Sequence, residues 1–341
     1  MNYKSRLQMK KYSFGNNDIL EAVKNNDINK VRSILDTGAN VNSMDTDGQT
    51  PLHYAAMGRH TKIVKLLLAK GANVNARDIN RRTPLYWVDN RDRHTKVAKL
   101  LLAKGADVNA MDTDRRTTLH YSAREDNTEI VKLLIDEGAD VNAIDTDEWT
   151  PLHFSARYGC TKVAKLLLAK GANVNAENTD GWAPLYFAVR YGHTKVVKLL
   201  LLTHGIDINI VDYSGYTYLH LAAENGYIGV VKLFLSRGEN VNAVSHTRRT
   251  PLHYSAREGH IGVVKLLMSR WADILVRDVD GRTALDLARA RGHIEVANAI
   301  ITESTDRSRK RIMAERIANR LIGQPTLISR YLSFGRTKRN N

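Results

Sequence analysis

The chain has 341 residues with 51 basic and 36 acidic side chains, which gives a formal net charge of +15. Its single cysteine excludes a disulfide framework and favours a reducing compartment. No run of about 18 apolar residues is present, and residues 1–16 lack the apolar core of a signal peptide, so we expect no membrane insertion.

The positive charge is concentrated at the two ends of the chain. Residues 1–16 contain four basic and no acidic side chains, and residues 303–341 contain ten basic and three acidic ones. The two ends therefore carry net charges of +4 and +7, and the segment between them keeps only +4. We expect a basic tail over 1–16, a central domain over 17–302 and a second basic tail over 303–341.

A tetrad of the Thr-Pro-Leu-His type opens a unit that recurs eight times at intervals of 33 or 34 residues. Such a period indicates one supersecondary unit that is copied and stacked, which is an array rather than a globular domain around a pocket. A degraded copy starts one period upstream, at Asn17, so we predict nine units over 17–302. The tetrads open at Thr50, Thr83, Thr117, Thr150, Ala183, Thr217, Thr250 and Thr283.

Each unit is predicted to contain two helices, as its second copy illustrates. Thr50 is a favourable N-cap and Pro51 suits the first helical position, so a short first helix begins here. A second helix follows over 60–70, where apolar residues recur at helical spacing, and Gly71 ends it. Residues 72–80 then form a turn-rich fingertip before the next tetrad.

Four fingertips carry a charged residue at a position where other fingertips have glycine. If this position is left-handed, a residue other than glycine costs on the order of 1 kcal/mol. We therefore expect these four fingertips to have rearranged. The charged residues are Arg81, Arg115, Glu148 and Arg248, and the glycines are Gly48, Gly181, Gly215 and Gly281.

The recurring phrases resemble the ankyrin repeat. One unit reads Thr-Pro-Leu-His-x-Ala-Ala from Thr50 and Ile-Val-x-Leu-Leu-Leu-x-x-Gly-Ala-x-Val-Asn-Ala from Ile63, and such units cover more than four fifths of the chain. The resemblance implies an all-α repeat fold, a solenoid of stacked helix-turn-helix units with β-turn fingertips. It also implies a non-enzymatic protein that binds protein partners on a concave side formed by the fingertips and the first helices.

Two variable columns of the repeat carry the candidate partner-binding residues. One column lies at the fingertip just before each tetrad, and the other follows the small residues of the first helix. Arginine and aromatic residues are enriched in interface hot spots, and exposed tryptophan is rare without a use. In the structural alternative, the arginines at the ends of the first helices pair with acidic residues of adjacent units and the tryptophans lean on neighbouring fingertips. The candidates are Arg82, Arg115, Arg116, Arg124, Trp149, Arg157, Tyr158, Trp182, Arg190, Tyr191, Tyr216, Arg249 and Arg257.

Residues that could suggest catalysis or metal binding fit structural roles better, so we expect no catalytic residue, metal or cofactor. Asp45-Thr46-Asp47-Gly48 resembles the start of a calcium loop, but it lacks the glutamate in register and turn capping explains it better. Cys160 replaces the histidine of other units, such as His60. Five histidines share a column about 10 Å apart, too far for one metal ion bonded at about 2 Å, so we expect hydrogen-bonding roles. They are His53, His120, His153, His220 and His253.

The C-terminal tail is predicted to contain a separate basic amphipathic helix over 308–321 and an apolar segment over 327–334. Met313, Ile317 and Leu321 share one face of this helix and are expected to cover apolar residues of the last unit. Three interpretations stay open: a lid on that unit, a partner-binding element, or a nuclear or anionic-surface tag. Ankyrin proteins of large DNA viruses and intracellular bacteria often end in an F-box-like segment, but this tail has no Leu-Pro entry to one.

We therefore expect a monomeric, non-enzymatic scaffold or adaptor that binds a protein partner with an acidic surface. The first alternative is binding of nucleic acid or an anionic surface, with arginine contacting phosphate and tryptophan stacking on bases. The second is an effector-like adaptor whose tail recruits ubiquitin ligase. We expect a cytoplasmic location, and delivery into a host cell and a nuclear location stay open.

Overall fold

The computed structural model describes residues 16–88, 94–126, 128–208 and 214–321. In these ranges the regular secondary structure consists of seventeen α-helices and one 3₁₀ helix, without a strand. The chain divides into two compact units, Met1–Ile208 and Asn209–Asn341. Within each unit the helices come in pairs that follow the sequence period, each a first helix followed by a second helix. The predicted all-α repeat fold is confirmed, whereas the boundaries of the tails stay a prediction.

The first unit contains six of these helix pairs and the second unit contains three. In the first unit they are α1 (Asn16–Lys24) with α2 (Ile28–Asp36), α3 (Pro51–Met57) with α4 (Thr61–Ala69), the 3₁₀ helix (Pro84–Trp87) with α5 (His94–Leu102), α6 (Thr118–Ser122) with α7 (Thr128–Asp136), α8 (Pro151–Tyr158) with α9 (Thr161–Ala169), and α10 (Pro184–Arg190) with α11 (Thr194–Leu201). In the second unit they are α12 (Tyr218–Glu224) with α13 (Ile228–Ser236), α14 (Pro251–Arg257) with α15 (Ile261–Ser269), and α16 (Ala284–Ala290) with α17 (Ile294–Leu321).

The core between α3 and α4 is aliphatic. Leu52 and Ala55 of α3 and Ile63 and Leu67 of α4 are fully buried, which confirms the helical spacing read from the sequence. Burying one large aliphatic side chain contributes roughly 1.5–3 kcal/mol. A single pair has too few such residues to offset its ordering entropy, so its stability depends on its neighbours.

The tetrad caps its own helix and bonds to the next pair. The Thr50 N–H donates to Nδ1 of His53, so this ring carries its proton on Nε2, which donates to the Arg82 carbonyl oxygen at 3.0 Å. The hydrogen-bonding role predicted for these histidines within each repeat is confirmed. The bond from Nε2 to a carbonyl oxygen of the next pair was not anticipated. Asp286, in the last pair, takes the place of the histidine and accepts from the N–H and the hydroxyl of Thr283. The arrangement of His53 recurs at His120, His153, His220 and His253.

The charged fingertip residues keep the left-handed conformation, so the expectation that these fingertips had rearranged is wrong. Their φ angles are 57° to 61°, close to the 71° to 76° of the glycines at the same position. The turn around Glu148 shows why. Oδ1 of Asp145 accepts from the backbone N–H groups of Asp147 and Trp149 at 3.0 and 2.9 Å, and these bonds hold the turn despite the strain. The residues concerned are Arg81, Arg115, Glu148 and Arg248.

The last helix is continuous from Ile294 to Leu321, so the predicted separate helix over 308–321 is an extension of α17. Met313 is 65% exposed and Ile294 is 72% exposed, and the predicted packing of Met313 on the last pair is therefore wrong. A continuous helix rises about 1.5 Å per residue, which carries Met313 away from the apolar residues it was expected to cover. The side chains of Ile317 and Leu321 and the segment over 327–334 lie outside the described residues.

Arg307 connects this extension to the preceding second helix. Its Nη1 and Nη2 donate to the carbonyl oxygens of Ala272 and Met268 at 2.9 and 3.1 Å, and its Nε donates to Glu303 at 2.7 Å. The guanidinium also lies 5.6 Å from the ring centre of Trp271. A cation at a helix C-terminus satisfies unpaired carbonyl groups and is favoured by the helix dipole. Arg307 thus stabilises the end of α15 and positions α17 beside it.

Candidate partner-binding surface

The fingertip arginines just before the tetrads bind buried carboxylates. Each carboxylate is fully shielded from solvent, and a buried charge without a partner would be strongly destabilising. Two of the arginines reach the aspartate of the next fingertip, and one binds the aspartate of its own. These ion pairs account for the half-buried fingertip arginines without a partner protein. The pairs are Arg82 with Asp78 at 2.8 Å, Arg116 with Asp145 at 2.9 Å, and Arg249 with Asp278 at 3.0 Å.

The fingertip tryptophans are half-buried, which corrects the expectation that they are exposed. The ring centre of Trp149 lies 4.2 Å from that of Phe187 in the next pair and 5.4 Å from that of Phe154. Trp182 stacks on Tyr186 with ring centres 3.9 Å apart. Aromatic packing between and within pairs therefore covers much of both indole rings, and it accounts for these residues without a partner.

Two further candidates of the second unit also have carboxylate partners. The Tyr216 hydroxyl donates to Glu224, and burial together with this bond raises the pKa of Tyr216. Arg257 donates to Glu224 and to Glu258, each at 2.6 Å. Since the charge of Arg257 is compensated within the second unit, this position has less attraction for an external anion than an arginine without an ion pair.

The remaining exposed candidates form a line in the first unit, and the fingertip Arg115, also exposed, stands apart from it. The guanidinium carbon of Arg124 lies 5.0 Å from the ring centre of Tyr158 in the next pair, and that of Arg157 lies 5.9 Å from Tyr158 and 5.6 Å from Tyr191. Tyr158 and Tyr191 are each 45% exposed. Arg190 occupies the same repeat position in the following pair. We call Arg124, Arg157, Tyr158, Arg190 and Tyr191 the arginine–tyrosine run.

The electrostatics of the run differ from those of the fingertip arginines. Among the described residues, Arg124 and Arg157 contact aromatic rings but form no ion pair. The Asp126 carboxylate nearby accepts from the backbone N–H groups of Lys162 and Val163. Glu125 is the exposed carboxylate adjacent to Arg124 in the chain. The guanidinium group of Arg157 is thus held in place by rings and remains available to an anion.

The backbone beneath the run is anchored to the following pair. The Arg157 carbonyl oxygen accepts from Nε2 of His193 at 2.9 Å, and the Arg124 carbonyl oxygen accepts from Sγ of Cys160 at 3.1 Å. Cys160 therefore takes the place of the histidine, as the sequence predicted. Burial raises the pKa of the Cys160 thiol to about 12, which keeps it protonated and unreactive near neutral pH.

Two features were missed by the sequence analysis. The first is the bond from the fingertip aspartate to an arginine or a tyrosine, since only its turn-capping role was predicted. Its signal was the recurrence of Asp45, Asp112 and Asp145 at one repeat position. The second is Trp271, which is 74% exposed with φ 65°. It stands where earlier second helices have a left-handed glycine, such as Gly71, and this departure from glycine was its signal.

Among the residues that the structure describes, no helix combines the length and the apolar character needed to cross a membrane. These residues also contain no group of three histidine, cysteine, aspartate or glutamate side chains that could hold a metal ion.

Comparison with known proteins identifies one family along most of the chain. The family model described as ankyrin repeats (3 copies) matches residues 19–112, 90–178, 171–245 and 219–310. A protein of fowlpox virus (strain NVSL), described as an ankyrin repeat protein, is 43% identical over 63 residues. The match covers 18% of this chain and 45% of the relative, so the chain matches about half the length of that curated protein.

Proposed function

Because the chain belongs to the ankyrin repeat family, whose repeats generally mediate protein–protein interactions, we propose that it binds a protein partner through the arginine–tyrosine run. The observation that carries this proposal is the exposure of Tyr158 and Tyr191 beside Arg157, which has no ion pair among the described residues. Arginine and tyrosine supply contact area, directed donors and little conformational freedom, which are the properties of interface hot spots.

The proposed partner presents acidic side chains to the run. Arg157 is already desolvated on the side that faces the rings of Trp149, Tyr158 and Tyr191, so part of the cost of burying it has been met in the free protein. A carboxylate that meets this guanidinium forms a charge-assisted hydrogen bond, which is about twice as strong as a neutral one. The protein then acts as a scaffold or adaptor without catalytic activity.

Nucleic acid is the competing ligand, and the run suits it less well. Tight, sequence-independent binding to nucleic acid uses about 6–10 phosphate contacts. The run contains only three arginines among the described residues, and the fingertip arginines Arg82, Arg116 and Arg249 are occupied by buried aspartates. A protein surface with a few carboxylates and apolar contacts makes fuller use of this composition.

The test compares two charge reversals of equal size. In the first variant, Arg157→Glu is combined with Arg190→Glu. In the matched control, Lys165→Glu is combined with Lys198→Glu, which places the same charges on exposed positions of the second helices of the same two pairs. Each immobilised protein is exposed to the same cell extract, and bound proteins and nucleic acid are quantified.

The proposal expects a defined protein to bind the original chain and the control but not the arginine variant, because each reversed hot spot costs about 2 kcal/mol or more. Retention of the same proteins by the arginine variant would contradict it. Nucleic acid would be established as the ligand if it is captured in place of protein and is lost in the arginine variant. Its binding constant should then fall with salt concentration, with a log–log slope near −0.9 per phosphate contact.

A further inference from the structure

The second helices of the first unit carry a continuous surface of lysines. In α4, α5, α9 and α11 two exposed lysines stand three residues apart, on the same side of the helix, and α7 has an exposed lysine at the second of these positions. These five helices contact one another in chain order, so their lysines lie on neighbouring helices throughout. We call this surface the lysine band, which consists of Lys62, Lys65, Lys96, Lys99, Lys132, Lys162, Lys165, Lys195 and Lys198.

The positive charge of the lysine band is not compensated within the protein. In the part of the chain that the structure describes, none of these lysine side chains forms an ion pair, whereas Lys70 and Lys170, at the ends of α4 and α9, bind Asp36 and Asp136 at 2.9 and 3.1 Å. The sequences of α4, α5, α9 and α11 contain no acidic residue. Lysines three residues apart on one helix repel each other, so they lower stability slightly rather than add to it. Packing of the repeat therefore does not require this charge.

The residue types of the lysine band indicate which anion it fits. Lysine is depleted in protein–protein interfaces, whereas its compact ammonium group contacts phosphate oxygens as a point charge. The sequences of the five helices contain no phenylalanine, tyrosine or tryptophan, and such side chains are what single-stranded nucleic acids stack on. Contacts to phosphate alone do not distinguish base sequences. The band therefore fits the phosphate backbone of a duplex.

An anionic bilayer is the other phosphate-bearing surface, and the lysine band fits it less well. Stable attachment of a polybasic surface to a membrane takes a second signal, such as a lipid chain or inserted apolar side chains. Among the described residues, the large apolar side chains most exposed to solvent lie outside the five helices, and Leu202 directly follows α11. One leucine at the edge of the band supplies little insertion, so a bilayer would be held by charge alone.

We propose that the lysine band binds the phosphate backbone of double-stranded nucleic acid without sequence preference. Its nine lysines match the roughly 6–10 phosphate contacts of tight, sequence-independent binding, in which released counterions supply the free energy. The band lies on the second helices, whereas the arginine–tyrosine run lies at the ends of the first helices. This inference therefore adds a second ligand on a separate surface and does not depend on the proposed function.

The test compares two variants of the full-length protein that lose the same charge. The band variant combines Lys65→Gln, Lys165→Gln and Lys198→Gln. The control combines Arg309→Gln, Lys310→Gln and Arg311→Gln, at exposed positions of α17. Fluorescence anisotropy measures binding to two DNA duplexes of unrelated sequence and to a single strand of one of them, over a series of salt concentrations. Sedimentation with phosphatidylserine-containing vesicles measures binding to lipid.

The inference expects both duplexes to bind the original protein equally, and more tightly than the single strand does. The log–log salt slope should lie at about −5 to −8, the range for about six to nine phosphate contacts. In the band variant the magnitude of this slope should fall by about 3, one for each lost contact, and binding should weaken at least about tenfold. The control should change both quantities much less. Circular dichroism checks the helices, and Lys62→Gln with Lys162→Gln and Lys195→Gln is the substitute if the band variant unfolds.

Equal losses in the band variant and the control would overturn the inference, because the binding would then follow net charge or the C-terminal extension. Absence of duplex binding, or tighter binding of the single strand, would also overturn it. Vesicle binding that the band variant loses, without duplex binding, would assign the band to lipid instead. None of these results bears on the proposed function, which is judged by the protein captured through the run and whose control already reverses the charges of Lys165 and Lys198.

Discussion

Acidification should destabilise the protein through its buried histidines at a higher pH than through Asp45 and Asp278. Burial lowers the pKa of the histidines that cap the first helices, and for His153 it lowers the pKa from 6.5 to about 4. Between these two values the unfolded chain binds more protons than the folded chain, so stability present near neutral pH is lost as the pH falls. The pKa is lowered in the same direction, for the same cause, at His53, His120 and His253.

The magnitude follows from the pKa of His153. A fall from 6.5 to about 4 corresponds to roughly 3 kcal/mol, of which about 2 kcal/mol is lost between about pH 7 and about pH 5. Asp45 and Asp278 lose protons at lower pH than the histidines do. Burial alone would raise the pKa of Asp45 and Asp278, but the hydrogen bonds they accept outweigh it and lower the pKa below 3.8. Their contribution to stability is therefore lost only below about pH 4.

The assay is urea denaturation followed by circular dichroism at about pH 7 and about pH 5, for the original chain and for His153→Gln. Glutamine does not titrate, so this variant should be less stable at neutral pH and should lose about 2 kcal/mol less on acidification. His204→Gln, at an exposed position, serves as the control. A stability that stays constant between the two pH values, or an identical loss in His153→Gln, would refute the reasoning.

Three further predictions concern stability. Arg307→Ala should lower the free energy of unfolding by about 1–3 kcal/mol, because two charged hydrogen bonds at the end of α15 are lost. The control Arg309→Ala, at an exposed position, should change this free energy little, and equal effects of the two substitutions in urea denaturation would contradict the prediction. Glu148→Gly should raise the melting temperature, because relief of about 1–2 kcal/mol of left-handed strain exceeds the added entropy of glycine; a lower melting temperature would count against it. Deletion of residues 150–182, one full period, should leave the helical circular dichroism per residue unchanged, and its collapse would argue against nearest-neighbour stabilisation.

The repeat fold could be predicted because each of its requirements is local and recurs in the sequence. Thr50 and His53 specify a capped first helix, and Gly71 specifies where a second helix ends. The position of Cys160 in the repeat predicted its structural role for the same reason. Contacts between neighbouring helix pairs were harder to predict from the sequence. The link from His53 to the Arg82 carbonyl has no sequence signal beyond the recurrence of the histidine itself.

The candidate surface was predicted only in part, because the sequence does not show which arginines at variable repeat positions are paired with carboxylates of the same protein. Arg116 and Arg157 look alike in the sequence, but Arg116 faces the buried Asp145 whereas Arg157 faces aromatic rings. The predicted cover of the last pair by Met313 failed because nothing in the sequence ends the helix before it. A left-handed arginine or glutamate at a fingertip was also unexpected, since local propensity disfavours it and the hydrogen bonds of the turn override that preference.

The central claim, that the arginine–tyrosine run is the protein-binding surface, is tested most directly by site-specific photo-crosslinking. Tyr158 is replaced by a photoreactive phenylalanine analogue, and Lys165, exposed on the second helix of the same pair, is replaced in a matched variant. Illumination in a cell extract should join a discrete protein to position 158 but not to position 165, and Arg157→Glu should abolish the product. Equal crosslinking from both positions, or a product at position 158 that survives Arg157→Glu, would contradict the account.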